Sequence, residues 1–243
     1  MKVPLRVFRS GAGSPRHDLF EVEVPETAMV LDAIEEAWAH HDGSLMFRRA
    51  CHHGSCGSCG VRVNGREILP CVTPVRDVWK GRGELRLDPL RNLPLVGDLV
   101  VDVAGLLQEL AATGMSMTRE VEHDIQRDGV IEELPEGIRR LVRFQSCIEC
   151  GLCLSACPTV AADARFLGPA GLAAAHNAWR DALGSNSADR LLSLVDGEQG
   201  AWRCHGAWEC TEVCPQNVRP AEKIMRLRRE LVARRARQLW SRS

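Results

Sequence analysis

Apolar and polar residues alternate at the start of the chain. In LRVFRS the apolar positions are Leu5 and Val7, and in FEVEVP they are Phe20, Val22 and Val24, the period of two that a half-buried strand needs. GAGSPRHD, rich in Gly, Ser and Pro, reads as the turn between them. MVLDAIEEAW changes the period: Val30, Ile34 and Trp38 fall at i, i+4 and i+8, on one helical face. VRVNGREIL predicts a hairpin, because Asn64-Gly65 supplies two residues that tolerate the positive φ of a type I′ turn. ELRLDPL is a closing strand that Pro89 ends. Strand, strand, helix, loop, hairpin and strand over residues 1–97 predict a small α+β unit of ubiquitin-like form.

From residue 98 the pattern turns helical. LVVDVAGLLQELAA, GPAGLAAAHNAWRDAL and AEKIMRLRRELVARRARQLW carry helical spacing, and strand-type alternation is weak. The charged TREVEHDIQRDGVIEELPEG (118–137) links the first of these helices to the cysteine runs and reads as a segment that a partner orders. CIECGLCLSACP (147–158) and CHGAWECTEVCP (204–215) form an internal repeat with one frame and one closing Cys-Pro. No apolar stretch is long enough to span a bilayer; LVVDVAGLLQEL is broken by Asp102 and Gln108. MKVPLRVFRS lacks the apolar core and cleavage site of an export signal, so a reducing, cytoplasmic setting is expected.

Composition changes this picture only through cysteine. The formal net charge of −1 selects neither nucleic acid nor an anionic membrane. Eleven cysteines in such a chain point to metal rather than disulfides, and an odd number would leave one thiol over. Cys51, Cys56, Cys59 and Cys71 read C-x4-C-x2-C…C, the plant-type 2Fe–2S spacing. Gly54, Gly57 and Gly60 let that loop wrap a cluster closely and aim N–H groups at sulfur. The alternative is a four-cysteine zinc site, which would want two C-x2-4-C knuckles, whereas Cys71 stands alone. His52 and His53 lie among these ligands. A Rieske-type centre replaces two cysteines by histidine, and all four cysteines are present, so both histidines read as loop residues that tune the cluster.

Cys147, Cys150, Cys153 and Cys157 form a C-x2-C-x2-C-x3-C-P run, whose fourth cysteine serves the other cluster in two-cluster ferredoxins. The second run holds Ala207 where its second cysteine would stand. Exchanging the fourth ligands assigns Cys147, Cys150, Cys153 and Cys214 to a 4Fe–4S cluster. Cys157, Cys204 and Cys210 remain for a 3Fe–4S cluster, which needs three thiolates. Four, four and three account for all eleven cysteines. A 4Fe–4S cluster with water or another non-cysteine ligand at its fourth iron is the alternative for the last site, and zinc the alternative for both.

The cysteines in this order and spacing resemble those of the iron–sulfur subunit of succinate dehydrogenase and fumarate reductase, the complex II family, over nearly the whole chain. RRACHHGSCGSCGVRVNG looks like that family's 2Fe–2S loop, PLRNLPLVGDLVVD like its inter-domain segment, and WRCHGAWECTEVCPQNVRP like its last cluster run. CGLCLSACP…FLGPAGLAAAHN is similar to the fumarate reductase branch. The resemblance implies an α+β architecture of two domains. An N-terminal β-grasp, plant-type 2Fe–2S ferredoxin domain would span 1–97, and an all-α, bacterial-ferredoxin-like domain with two clusters would span 98–243. It also implies a partner flavoprotein with covalent FAD, where succinate and fumarate interconvert, and membrane anchor subunits carrying the quinone site. Electrons would run FAD, 2Fe–2S, 4Fe–4S, 3Fe–4S, quinone, with the chain peripheral on the cytoplasmic face of the cell membrane. The chain's own residues agree that the flavin lies elsewhere: GAGSPR lacks the third glycine and the strand–turn–helix setting of a dinucleotide fingerprint.

Pro158 and His205 match family residues that help line the quinone pocket beside the last cluster; for His205 the alternative is a histidine packed behind the cluster. Ala162 stands where succinate dehydrogenases often carry tryptophan, which removes an indole donor and turns the expectation from a ubiquinone-type contact to menaquinone or a rearranged pocket. Trp202 and Trp208 read as core or anchor-interface residues, and Met115 and Met117 as packing. The seven arginines of RLRRELVARRARQLWSRS read as the solvated side of a helix, with lipid phosphates as the alternative. The leading expectation is succinate:quinone oxidoreduction, with quinol:fumarate reduction as the reverse reading. Two other functions compete. One is the electron-transfer subunit of another flavin dehydrogenase, which would carry an extra CCG-type cysteine domain; the other is a zinc-stabilised adaptor without redox chemistry.

Overall fold

The computed structural model describes residues 1–11, 14–113, 147–181 and 186–240; the charged segment 118–137, Met115 and Met117 lie outside the described residues. β1 (Lys2–Arg9) and β2 (Arg16–Glu23) pair antiparallel from Lys2↔Glu23 to Arg9↔Arg16. Their alternation becomes a buried face of Val3, Leu5, Val7, Phe20 and Val22. α1 (Val30–His40) opens where the Asp32 carboxylate accepts the Met29 N–H at 2.8 Å. It sinks Val30, Ala33, Ile34 and Ala37 into the core of the strands, while Leu31 turns towards the cysteine loop.

β3 (Val61–Val63) and β4 (Arg66–Ile68) form the expected hairpin, with positive φ at both Asn64 (50°) and Gly65 (86°). β5 (Leu85–Asp88) runs parallel to β1 and antiparallel to β3, giving the sheet order β2-β1-β5-β3-β4. A 3-10 turn (Pro70–Val72) and α2 (Val75–Val78) join β4 to β5.

Residues 99–103 depart from the helical expectation for LVVDVAGLLQELAA. β6 (Leu95–Gly97) and β7 (Val100–Val101) make a second hairpin across the expected change of domain, and α3 (Ala104–Ala112) starts only after it. The turn residue Asp98, at φ 44°, accounts for this. Its carboxylate accepts the N–H groups of Ser10 at 2.8 Å and Met46 at 2.9 Å and pairs with Arg9 at 3.2 Å. Those long-range bonds hold a turn where local spacing favoured a helix.

The second half is helical: α4 (Leu152–Ser155), α5 (Pro158–Ala162), α6 (Gly168–Asp181), α7 (Asn186–Val195), a 3-10 turn (Ala201–Arg203), α8 (Glu209–Glu212) and α9 (Pro220–Trp240). Leu172, Ala175 and Trp179 of α6 meet Ile224, Leu227 and Leu231 of α9 in one core. α7 has no counterpart among the expected helices, although Ala188, Leu192 and Val195, at i, i+4 and i+7, bury in that same core.

The halves meet through both packing and polar contacts. The buried Glu67 carboxylate accepts the Ser155 hydroxyl at 2.8 Å and pairs with Arg91 at 3.2 Å, and the Arg91 N–H donates to Ser155 Oγ at 2.8 Å. Asn92 donates its amide to the carbonyls of Leu154 at 2.9 Å and Cys157 at 3.2 Å.

Candidate metal centres

The first cysteine quartet lies on the loop between α1 and β3 and on the turn after β4. His52, Gly54 and Gly57 take positive φ (59°, 76° and 70°), which folds the loop back on itself. Cys59 and Cys71 are buried with their sulfurs 3.4 Å apart, and Cys56 is exposed, 3.2 Å from the Ser58 hydroxyl. Backbone N–H groups, first that of His53 and then that of Cys56 at 3.4 Å, draw the Cys51 thiol down to about 5. Burial pushes Cys59 up to about 12. Cys51 thus favours thiolate already, while Cys59 charges only when metal displaces its proton. His53 is wedged between the Cys51 carbonyl and the Ser55 hydroxyl, and His52 leans towards Glu35 at 3.6 Å.

The two runs of the repeat adopt one conformation. Glu149 and Gly151 have φ of 55° and 75°, and their counterparts Gly206 and Trp208 have 72° and 66°. Gly151 caps α4 and Trp208 caps α8, each a single turn of four residues. Ala207 therefore occupies the place that Cys150 has in the first run. A tryptophan in the left-handed region costs about 1–2 kcal/mol, which the surrounding fold must hold. No local propensity signals it; only alignment with Gly151 does.

The runs also cross. Cys147, Cys153 and Cys214 pack against one apolar cluster, built on Leu106, Leu110 and Leu154. Cys157 and Cys204 pack in another, with Phe166, Leu172 and Ile224. The charge of Cys214 acts on Cys147 and Cys150, and those of Cys157 and Cys204 act on Cys210, while Cys153 feels both Cys210 and Cys214. Burial raises Cys147, lifts Cys150 and Cys210 to about 12, and carries Cys153 well above the ordinary thiol range. Peptide N–H groups aim at sulfur in both sets: Gly206 at Cys204 (3.4 Å) and Val218 at Cys214 (3.3 Å). Among the described residues, no three His, Cys, Asp or Glu side chains close around a single ion. Soft thiol donors ringed by glycine and peptide N–H groups fit iron–sulfur clusters.

The first quartet and the second group touch. A Cβ on Gly57 would lie 2.4 Å from the Ile148 carbonyl oxygen and 3.0 Å from Cys150 Cβ, and one on Gly60 would lie 3.2 Å from the Cys150 carbonyl oxygen. The Gln216 amide, two residues past Cys214, donates to the Gly54 carbonyl at 3.0 Å.

Beyond the cysteines, Pro158 and Ala207 share the walls of a cavity of about 640 Å³ with Glu67, Arg91 and Glu212, and His205 stands exposed beside Cys204. Trp202 and Trp208 are 37% and 42% exposed, so neither is a core residue. Several arginines of α9 are paired rather than simply solvated: Arg226 with Glu222 (2.6 Å), Arg235 with Asp196 (2.7 Å) and Arg237 with Glu230 (2.6 Å). No helix among the described residues is long and apolar enough to cross a membrane.

Fold and cysteine geometry define an iron–sulfur protein with a 2Fe–2S domain joined to a dicluster domain. Residues 4–108 match the family described as "2Fe-2S iron-sulfur cluster binding domain", and residues 143–218 that described as "4Fe-4S dicluster domain". The chain is 36% identical to a fumarate reductase iron–sulfur subunit of Mycobacterium tuberculosis, over 88% of this chain and 85% of that one. It is 30% identical to a succinate dehydrogenase iron–sulfur subunit of Paracoccus denitrificans, over 91% and 83%. A chain of the solved structure titled "Mycobacterium smegmatis Sdh1 complex in the apo form" superposes with a TM-score of 0.79 at 27% identity, covering 96% of both chains. The chain belongs to the family of iron–sulfur subunits of succinate dehydrogenase and fumarate reductase, the electron-transfer subunits of these oxidoreductase complexes.

Proposed function

We propose that this subunit carries electrons between the covalent FAD of a partner flavoprotein and a membrane quinone, in a complex held at the cytoplasmic face of the cell membrane by anchor subunits. Cys51, Cys56, Cys59 and Cys71 would hold the 2Fe–2S cluster, Cys147, Cys150, Cys153 and Cys214 the 4Fe–4S cluster, and Cys157, Cys204 and Cys210 the 3Fe–4S cluster. The first quartet falls within residues 1–97 and the other seven cysteines within 98–243, so the two domains divide the work. When bound, the clusters supply one-electron carriers of graded potential. The protein's part is to bury their ligands, keep water from the inner thiols and bring the loops into contact at Gly57. Pro158 and His205 flank the proposed quinone side. The missing indole at Ala162 favours menaquinone, and succinate oxidation is the working direction we assign.

One observation supports this reading: Cys214 packs on the same apolar cluster as Cys147 and Cys153, and Cys157 on the same cluster as Cys204, as an exchange of last ligands between the runs would require. Three thiols and Ala207 then surround the third site, which lacks a fourth thiolate. Purification of the complex from its native membrane tests the assignment. We expect a flavoprotein to co-purify, succinate-dependent quinone reduction, and about nine irons per chain. Zinc without acid-labile sulfide would refute it. Ala207→Cys supplies a thiol where Cys150 stands in the first run, and we expect the paramagnetic signal of the oxidised 3Fe–4S centre to give way to a 4Fe–4S signal. An unchanged oxidised signal would sink the ligand map.

A further inference from the structure

Arg228, half-buried on α9, reaches back to the loop that carries Cys204. Its Nε–H donates to the Ala201 carbonyl at 2.8 Å, and its Nη2 to the carbonyls of Trp202 (3.1 Å) and of Cys204 itself. One guanidinium thus gathers three acceptors around a single 3-10 turn, the planar fork being suited to such a grip. The rest of the strap is built around the same turn. The Trp202 indole lies under Arg228 and Arg235, 5.9 and 5.2 Å from ring centre to guanidinium carbon. Asp196 takes the indole N–H at 2.6 Å and Arg235 at 2.7 Å, and Arg203 donates to Asp163 at 3.1 Å. Arg226, Arg235 and Arg237 of α9 are paired with carboxylates. Among the described residues Arg228 makes no ion pair and has carbonyls instead, which sets its positive charge at the backbone of Cys204.

We propose that Arg228 is a positioning residue for the last cluster: it fixes the Cys204 loop and keeps a positive charge there that raises that cluster's reduction potential. This rests on the assignment of Cys157, Cys204 and Cys210 to the 3Fe–4S cluster. Held by those three cysteines, the cluster would supply a one-electron acceptor whose reduction adds a negative charge. A fixed cation nearby stabilises the reduced form more than the oxidised one, and local net charge is among the determinants of cluster potential. The device would make the last site a good acceptor without any change in its ligands.

The test is a redox titration of the purified complex, following the oxidised 3Fe–4S signal and the reduced 2Fe–2S signal by electron paramagnetic resonance in the same samples. Arg228→Gln keeps a polar group and loses the charge; Arg228→Lys keeps the charge. In Arg228→Gln the oxidised-to-reduced ratio of the last cluster, at the wild-type midpoint, should rise about threefold or more, a fall of about 30 mV. The 2Fe–2S midpoint should not move, and Arg228→Lys should restore most of the shift. Selective loss of the 3Fe–4S signal in Arg228→Gln, with the 2Fe–2S signal intact, would equally support the positioning role. An unmoved 3Fe–4S midpoint would overturn the proposal, as would parallel loss of all the clusters in both variants, since Arg228 would then serve general stability. Absence of a 3Fe–4S signal from the wild type would instead refute the ligand assignment beneath it.

Discussion

Gly57 shows how one missing side chain sets the distance between two centres. Its φ of 70° and the 2.4 Å that would separate a Cβ from the Ile148 carbonyl leave room for hydrogen alone. The obstacle is backbone, which cannot swing aside. We expect Gly57→Ala to destabilise the contact by about 1–3 kcal/mol, lowering the melting temperature and broadening the 2Fe–2S signal as its loop shifts. A variant with wild-type melting and an unaltered signal would mean that the loops do not touch in solution. The glycines of this loop were legible as a cradle for a cluster. That Gly57 also abuts Cys150 was not, because Ile148 and Cys150 lie some ninety positions away in the sequence. Trp208 makes the same point in reverse. Nothing in a tryptophan announces a left-handed backbone, and the repeat alone carries the information through Gly151.

At the level of elements, the hairpin β3–β4 and the helix α4 are joined by a buried carboxylate. Glu67 has Ser155 and Arg91 as partners, and Ser155 in turn accepts the Arg91 N–H. Ser155→Ala removes the bridge and leaves a buried acceptor and a backbone donor each short of a partner, at about 1–3 kcal/mol. We expect denaturant unfolding to show that loss, while the signal of the proposed 3Fe–4S cluster keeps its shape because no proposed ligand moves. A variant as stable as wild type would show that water replaces the hydroxyl. Strand alternation, the Asn64-Gly65 turn and helices α6 and α9 could be read locally, since period and turn chemistry are properties of short segments. The hairpin β6–β7 could not: Asp98 is held by Ser10, Met46 and Arg9, partners that only the folded chain brings to it.

At the scale of the molecule, His176 ties stability to pH. It sits on α6 near Lys223 and Arg226 of α9, 3% exposed and edge-on to Trp179 at 5.9 Å. Burial, then the charges of Lys223, Arg226 and Arg180, depress its pKa from 6.5 to about 3. The folded chain therefore keeps the imidazole neutral where the unfolded chain would protonate it. The stabilisation is fully present above pH 6.5 and is lost progressively as pH falls towards 3. Each pH unit across that window removes at most about 1.4 kcal/mol. Unfolding free energies measured at pH 7, 6 and 5 should therefore decline less steeply in His176→Phe than in the wild type. Parallel slopes would refute this role of His176.

The eleven cysteines, their spacing and the Cys-Pro repeat were enough to define the three candidate sites, because ligand number and spacing are written along the chain and cluster chemistry demands little else. The choice of which cysteine joins which site was inferred from the frame of the repeat, and only the folded packing sets Cys214 on one apolar cluster with Cys147 and Cys153, and Cys157 on another with Cys204. Likewise the contact at Gly57 and the grip of Arg228 on the Cys204 loop belong to the tertiary structure alone. Both depend on groups far apart in sequence meeting within van der Waals or hydrogen-bond distance, and no short-range pattern of residues encodes such a meeting.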